Sequence, residues 1–310
     1  MGTPDGASGG TASTGGTTSA ADQGPPSCVG LAATCGPLNE SCCASPAVAG
    51  GTFNRGSVGG SPDTGAPATV SDFYLDKYEI TVGRFRAFVN AGMGTQSNPP
   101  ASGAGAHRLI TGSGWDATWN THLPKDTGSL KAAISCHLSD FTWTDTPGSN
   151  ESHPQNCMDW YLAFAFCAWD RGRLPTEAEW GYAAAGGSEH RTYPWSSPPT
   201  STIIDDSYTH YCGDFCALRE NVGSKSPKGD GRWGQSDLVG AMYEWVLDWY
   251  ADAYPTLCSD CARLTESPDR PGARVVRGGY SAMGVSSSSE RYPGPAIDFV
   301  SGSRCARSGP

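Results

Sequence analysis

The apolar positions of the chain fall into a few short, bounded segments separated by long stretches of Gly, Ser, Thr and Pro. Gly50-Gly51-Thr52-Phe53, and the run from Ala68 through Phe73 to Ile80, alternate apolar and polar residues with the two-residue period of half-buried strands. At Thr81 the period changes. Thr81 stands where an N-cap is needed, Ile80 and Phe85 are spaced as a hydrophobic staple, and Gly92 supplies a stop, which predicts a helix over Val82–Val89. Residues 93–129 are rich in Gly, Ser, Asn and Pro and read as a long ordered excursion pinned by Trp115 and Trp119. From Met158 to Trp169 the chain is apolar nearly all round yet too short to span a bilayer, which predicts a buried helix ended by Gly172. Thr176 and Glu179 have capping-box spacing, so another helix is expected to run to about Ala185. Beyond it the pattern is one of short strands and loops, with Ala273–Arg277 as a strand candidate and no repeat of fixed period.

Composition narrows the class. A chain of 310 residues has room for one large domain or two ordinary ones. Its formal charge of -10 lacks the basic footprint of a nucleic-acid or anionic-membrane binder. Only 17% of residues are charged, whereas Gly (41), Pro (23) and Trp (10) are abundant, which favours irregular packed loops over long helices. No apolar run approaches the roughly 20 residues of a transmembrane span. The 12 cysteines are an even set and read mostly as disulfides, hence as a mark of export to an oxidising compartment. No signal peptide is visible after Met1, so an export signal upstream, with a lipid-anchored cysteine, is the expectation. Three regions follow: a flexible Gly/Ser/Thr-rich tether over residues 1–27, a Cys-rich stapled segment over 28–45 whose cysteines close one or two small loops, and a globular domain over 46–310.

Several motifs occur in a fixed order within that domain. They are Arg173-Leu-Pro-Thr-Glu-Ala-Glu-Trp180, Tyr193-Pro-Trp195, the loop from Gly234 through Asp237 and Gly240 to Tyr243-Glu244-Trp245, Arg277-Gly278-Gly279, and Gly302-Ser-Arg304-Cys305-Ala306. Together they resemble the formylglycine-generating enzyme, or sulfatase-modifying factor, domain. The resemblance implies an α+β, C-type-lectin-like fold that is irregular, loop-rich and disulfide-stabilised. It also implies a bridge between Cys167 and Cys305; the family's second bridge lacks its first half, where Ala184 stands.

The enzymes of this family hold copper(I) with two cysteines five residues apart after the Arg-Gly-Gly motif and use oxygen to convert a sulfatase cysteine to formylglycine. Here Met283 and Ser288 occupy those two places, Tyr280 follows the glycines, and no cysteine lies between Cys261 and Cys305. Copper(I) prefers soft, deprotonated sulfur, and a serine hydroxyl is hard and protonated. Copper is therefore not expected, and no catalytic residue is assigned. One calcium site of the family maps onto the Asp237 side chain, the Gly240 and Met242 carbonyls and the Glu244 side chain, all hard oxygen donors. The family's other calcium site has no counterpart in residues 205–232.

Competing chemistry is weaker. His210, Cys212, Cys216, Cys258 and Cys261 have enough nitrogen and sulfur for zinc, but in an exported chain such cysteines read first as disulfides. The serines at 286–289 lack the Gly-x-Ser-x-Gly setting of a hydrolase. The aromatics Trp115, Trp119, Trp143, Tyr243 and Tyr280 suit either core filling or a cleft wall. The expected cleft consists of Tyr243, Tyr280, Met283, Ser288 and Arg291, with a peptide, protein or glycan as ligand. The leading expectation is an exported, non-catalytic binding or scaffold module carrying calcium. The alternative is an oxidoreductase making formylglycine, or another reaction in the same cleft.

Overall fold

The computed structural model describes residues 1–2, 24–56, 66–136, 141–210, 220–254, 257–279, 287–294 and 301–309. The expected tether falls, over residues 3–23, outside them. A small hairpin, β1 (Thr34–Cys35) and β2 (Glu40–Ser41), is held by the nested bridges Cys28–Cys43 and Cys35–Cys42. This stapled segment is bonded into the rest of the molecule. The Ser27 N–H donates to Asp170 Oδ1, the Arg84 guanidinium donates to Ser27 Oγ and to the Cys42 carbonyl, and the Gly36 N–H donates to the Val222 carbonyl.

Next come β3 (Ala47–Val48), β4 (Gly51–Asn54), β5 (Pro67–Val70) and β6 (Phe73–Leu75), with β4 antiparallel to β5. Helix α1 (Val82–Asn90) starts at Thr81, whose hydroxyl accepts the Arg84 N–H, and Gly92 follows its end at φ 69°. Helix α2 (Thr127–Ile134) begins inside the stretch read from sequence as a loop. Its cap is local, since Asp126 accepts the Ser129 N–H at 2.8 Å, but Gly128 in the first turn masks the helical pattern. Helix α3 (Trp160–Trp169) starts two residues later than its apolar run because Asp159 caps it through the Leu162 N–H. Helix α4 (Glu177–Ala184) carries the complete capping box of Thr176 and Glu179.

The C-terminal part supplies β7 (Tyr243–Trp249), β8 (Arg274–Arg277), β9 (Tyr292–Gly294), β10 (Ser301–Gly302) and β11 (Ala306–Ser308). One sheet has the order β10-β7-β8-β9, with β10 parallel to β7, and another the order β11-β6-β3. Strand β7 has no alternating pattern because both of its faces are buried. Trp245 and Leu247 enter the core built on α1, α2 and α3, whereas Val246 enters the core built on β3–β6 and α4. Val275 and Val276 of β8 divide in the same way. The Trp160 indole donates to the Val246 carbonyl and the Trp245 indole to the Met158 carbonyl, each at 2.8 Å, which fixes α3 against β7. Burying each of these side chains contributes about 2–3 kcal/mol.

Among the described residues three further bridges are formed: Cys136–Cys157, Cys258–Cys261, and Cys167–Cys305, which joins residues 138 apart. For the last, the chain-entropy model gives about 5 kcal/mol. No cysteine among the described residues is free, a state that belongs to an oxidising compartment. Among the described residues no helix is long and apolar enough to cross a membrane.

Candidate functional site

Helix α4, capped by the Arg173-to-Trp180 motif, lines a cavity through Glu177 and Gly181. Arg173 pairs with Glu179 through both guanidinium nitrogens, at 2.7 and 2.6 Å, which holds that carboxyl down at about 2 against the effect of burial. With Glu179 thus engaged as the returning arm of the cap, the preceding Glu177 is left pointing into the cavity floor. Glu177 accepts the Tyr254 hydroxyl at 2.7 Å and faces Arg277 at 3.5 Å and Arg291 at 3.3 Å. Its backbone N–H donates to Asp248, whose carboxyl is pushed up to about 7 by burial and by the Glu177 charge. Burial and Glu177 also raise Tyr254, so it stays a neutral donor.

Above this floor lies a cavity of about 600 Å³, lined also by Phe53, Arg55, Arg191, Thr192 and Ser287–Glu290. Arg277 is 1% exposed, donates from Nη2 to the Ser288 carbonyl and leaves its Nε without a hydrogen-bond partner. The cavity therefore offers fixed cations beside one buried carboxylate, a surface for a polar ligand with an acidic group.

Ser288 lines this cavity, but its hydroxyl donates to the Ala184 carbonyl at 3.0 Å and its N–H to the Thr192 carbonyl. Arg291 lies behind the floor, donating to the Ala251 carbonyl with its guanidinium over the Tyr254 ring at 3.9 Å. Tyr243 does not line the cavity; it packs edge-on against Tyr292 with ring centroids 5.6 Å apart. Tyr280 and Met283 lie outside the described residues. Trp115, Trp119 and Trp143 belong to the α1–α3 core rather than to the cavity wall. The structure thus brings Ser288 and Arg291 to one region and sets Tyr243 apart. Glu177, Arg55 and Tyr254 were missed from the sequence. Glu177 carried a signal, as the first residue after a capping hydroxyl, whereas Arg55 and Tyr254 carried none.

The oxygen donors mapped for calcium sit at the start of β7. Asp237, at φ 58°, accepts the Gly223 N–H at 2.5 Å through Oδ2. Glu244 is fully buried and accepts from Arg304 through both oxygens and from the Trp180 indole at 2.9 Å. Glu79 is buried with both carboxylate oxygens unpartnered, and burial together with the charges of Asp237 and Glu244 pushes it well above the ordinary carboxylate range. Glu79 is thereby held neutral, and Asp237 and Glu244 remain as the hard oxygen side chains that could meet a divalent cation. Among the described residues no three His, Cys, Asp or Glu side chains form a metal cluster by themselves, so carbonyls such as those of Gly240 and Met242 would have to complete the shell. The zinc set is not assembled. Cys258 and Cys261 are bonded to each other, Cys212 and Cys216 lie outside the described residues, and His210 is within 3.4 Å of Glu220. Ser287 and Ser289 pair with each other at 2.8 Å.

The family model for the sulfatase-modifying factor enzyme 1-like domain matches residues 33–308. The chain belongs to this family. The domain is 29% identical over 262 residues to the formylglycine-generating enzyme of Thermomonospora curvata, covering 75% of this chain and 80% of that one. It is 35% identical over 104 residues to the inactive C-alpha-formylglycine-generating enzyme 2 of Bos taurus, covering 31% of this chain and 33% of that protein. Among solved structures, PvdO from Pseudomonas aeruginosa superposes with a TM-score of 0.55 at 20% identity, covering 84% of this chain and 93% of that one. The mixed helices, small sheets and disulfides of this sulfatase-modifying factor domain agree with that shared fold.

Proposed function

We propose that this sulfatase-modifying factor domain is an exported binding module that has given up the copper oxidase chemistry. One observation carries the reading: the second position of the copper pair is Ser288, whose hydroxyl proton is committed to the Ala184 carbonyl in a nearly dry setting. A protonated hard oxygen does not fit copper(I), and the described cysteines are all bonded in disulfides. No step through copper is derived. The cavity beside Ser288 takes the ligand, a peptide or protein segment whose acidic group meets Arg55, Arg191 and Arg277 while a donor meets Glu177. Calcium held by Asp237, Glu244 and the Gly240 and Met242 carbonyls would neutralise the buried carboxylates and stiffen the turn into β7. The disulfides support export.

The test supplies copper(I), oxygen and a peptide containing Cys-x-Pro-x-Arg and follows the peptide by mass spectrometry. The expected result is unchanged cysteine at every time point. Appearance of the aldehyde product would overturn the reading.

A further inference from the structure

One bridge in the molecule does little structural work. Cys258 and Cys261 are only three residues apart, so their bond closes a very short loop. In the chain-entropy model that contributes about a third of what a loop the size of the Cys167–Cys305 one contributes. Backbone bonds already anchor the segment: the Thr69 N–H donates to the Cys258 carbonyl, the Asp260 N–H donates to the Thr69 carbonyl, and the Asp260 carboxylate accepts from the Ser71 N–H and hydroxyl, each at 2.7 Å.

The surroundings of this pair are chemically specific. Cys258 is buried, whereas Cys261 is partly exposed. The Arg55 Nη1 lies 4.0 Å from Cys261 Sγ. Behind Cys261 is a small cavity of about 20 Å³, enough for one water, lined by Arg55, Glu177, Asp248, Tyr254, Arg263 and Arg291. A cation beside one sulfur of a Cys-x-x-Cys pair stabilises that sulfur as a thiolate and thereby stabilises the reduced pair. Asp248, pushed up to about 7 by burial and Glu177, offers a nearby carboxyl able to exchange a proton near neutrality.

We propose that Cys258 and Cys261 form a thiol–disulfide exchange centre that oxidises paired thiols of a polypeptide, adjoining the cavity at Ser288, with which it shares Arg55. A partner thiolate attacks the accessible Cys261 sulfur. The Cys258–Cys261 bond breaks as the mixed disulfide forms, and Cys258 departs as a thiolate and takes up a proton. The partner's second thiol loses its proton and attacks the partner sulfur of the mixed disulfide. Cys261 is then expelled as the thiolate held by Arg55. Two thiols have become one disulfide, and two electrons have passed to the Cys258/Cys261 pair.

The test equilibrates the whole protein in a graded series of reduced and oxidised glutathione, quenches in acid, alkylates and maps the label. Cys258 and Cys261 are expected to become labelled together in buffers that leave Cys167 and Cys305 unlabelled. In the reduced pair, Cys261 should react with iodoacetamide at neutral pH at least tenfold faster than Cys258, and Arg55→Gln should slow it about tenfold. Arg55→Lys, which keeps the charge, should retain the fast rate and serves as the second variant should Arg55→Gln fail to fold. One equivalent of oxidised protein should also close a reduced peptide carrying two cysteines. Reduction of the pair only together with the other bridges, or a Cys261 rate indifferent to the charge at position 55, would overturn the proposal.

Discussion

Arg304 grips Glu244 from two sides, with Nη2 at 2.7 Å from Oε1 and Nε at 2.8 Å from Oε2, and neither side chain reaches solvent. The same guanidinium donates to the Lys77 carbonyl at 2.8 Å, so the last segment of the chain neutralises a carboxylate on the central strand and ties down the turn before α1. Arg304→Met would strand Glu244 in the interior. The expected loss is about 3–5 kcal/mol, read from urea denaturation. Glu244→Gln combined with Arg304→Met should cost clearly less than the two single losses added together; strict additivity would show that the two groups act independently.

Calcium should stabilise the protein. At a hundredfold excess over its Kd the gain is about 2–3 kcal/mol, seen as a higher Tm than in chelator. Asp237→Asn keeps an oxygen donor but removes one charge, and should weaken binding about tenfold by calorimetry. A melt indifferent to calcium would remove Asp237 and Glu244 from consideration as ligands.

Acidity tests the cap of α3. Asp159 is half-buried at the head of α3, and its desolvation raises its carboxyl from 3.8 to about 6 despite the N–H bonds from Leu162 and Tyr161. A folded-state value above the unfolded one means that the folded protein holds the extra proton. This contribution to stability is complete below about pH 4 and is lost as pH rises through 6. Asp159→Asn caps equally well and does not titrate. The variant should therefore gain on the wild type by about 2–3 kcal/mol between pH 4 and pH 7. Denaturation midpoints at closely spaced pH values would reveal the divergence, and parallel curves would contradict it.

The Arg-Gly-Gly motif is a backbone requirement. Gly278 has φ 92°, and a Cβ there would lie 3.0 Å from the Met242 carbonyl oxygen and 3.2 Å from that of Leu238. Gly278→Ala should cost about 1–3 kcal/mol. Because it crowds one of the carbonyls assigned to calcium, it should also reduce the calcium-dependent rise in Tm, whereas Gly272→Ala, at φ 74° with nothing within 4 Å, should leave that rise intact.

Local chemistry made parts of this fold legible. The Thr81 cap, the Thr176–Glu179 box and the apolar run of α3 each depend on neighbours in sequence, and each appears within two residues of where the pattern put it. Strand β7 was hidden because burial on both faces erases alternation, and α2 because Gly128 interrupts its first turn. The site was less legible for a different reason. Glu177 meets Arg277 and Arg291 across the fold, and Glu244 meets Arg304 across 60 positions, so no periodicity announces them. Tyr243, expected in one cleft with Ser288, has its ring edge-on to Tyr292, a pairing across 49 positions that no local pattern announces. The ordered motifs located the scaffold; which side chains share a cavity depended on long-range pairing.

Strands β10 and β11 lie only a few residues apart but complete different sheets, one beside β7 and the other beside β6, with Arg304 and Cys305 between them. Both sheets therefore stay incomplete on the ribosome until residues 301–308 have been made. Premature termination just before them would strip an edge from both sheets, together with a neutralising cation and a covalent tie. The codons for residues 301–308 are accordingly as intolerant of truncation as those encoding the core.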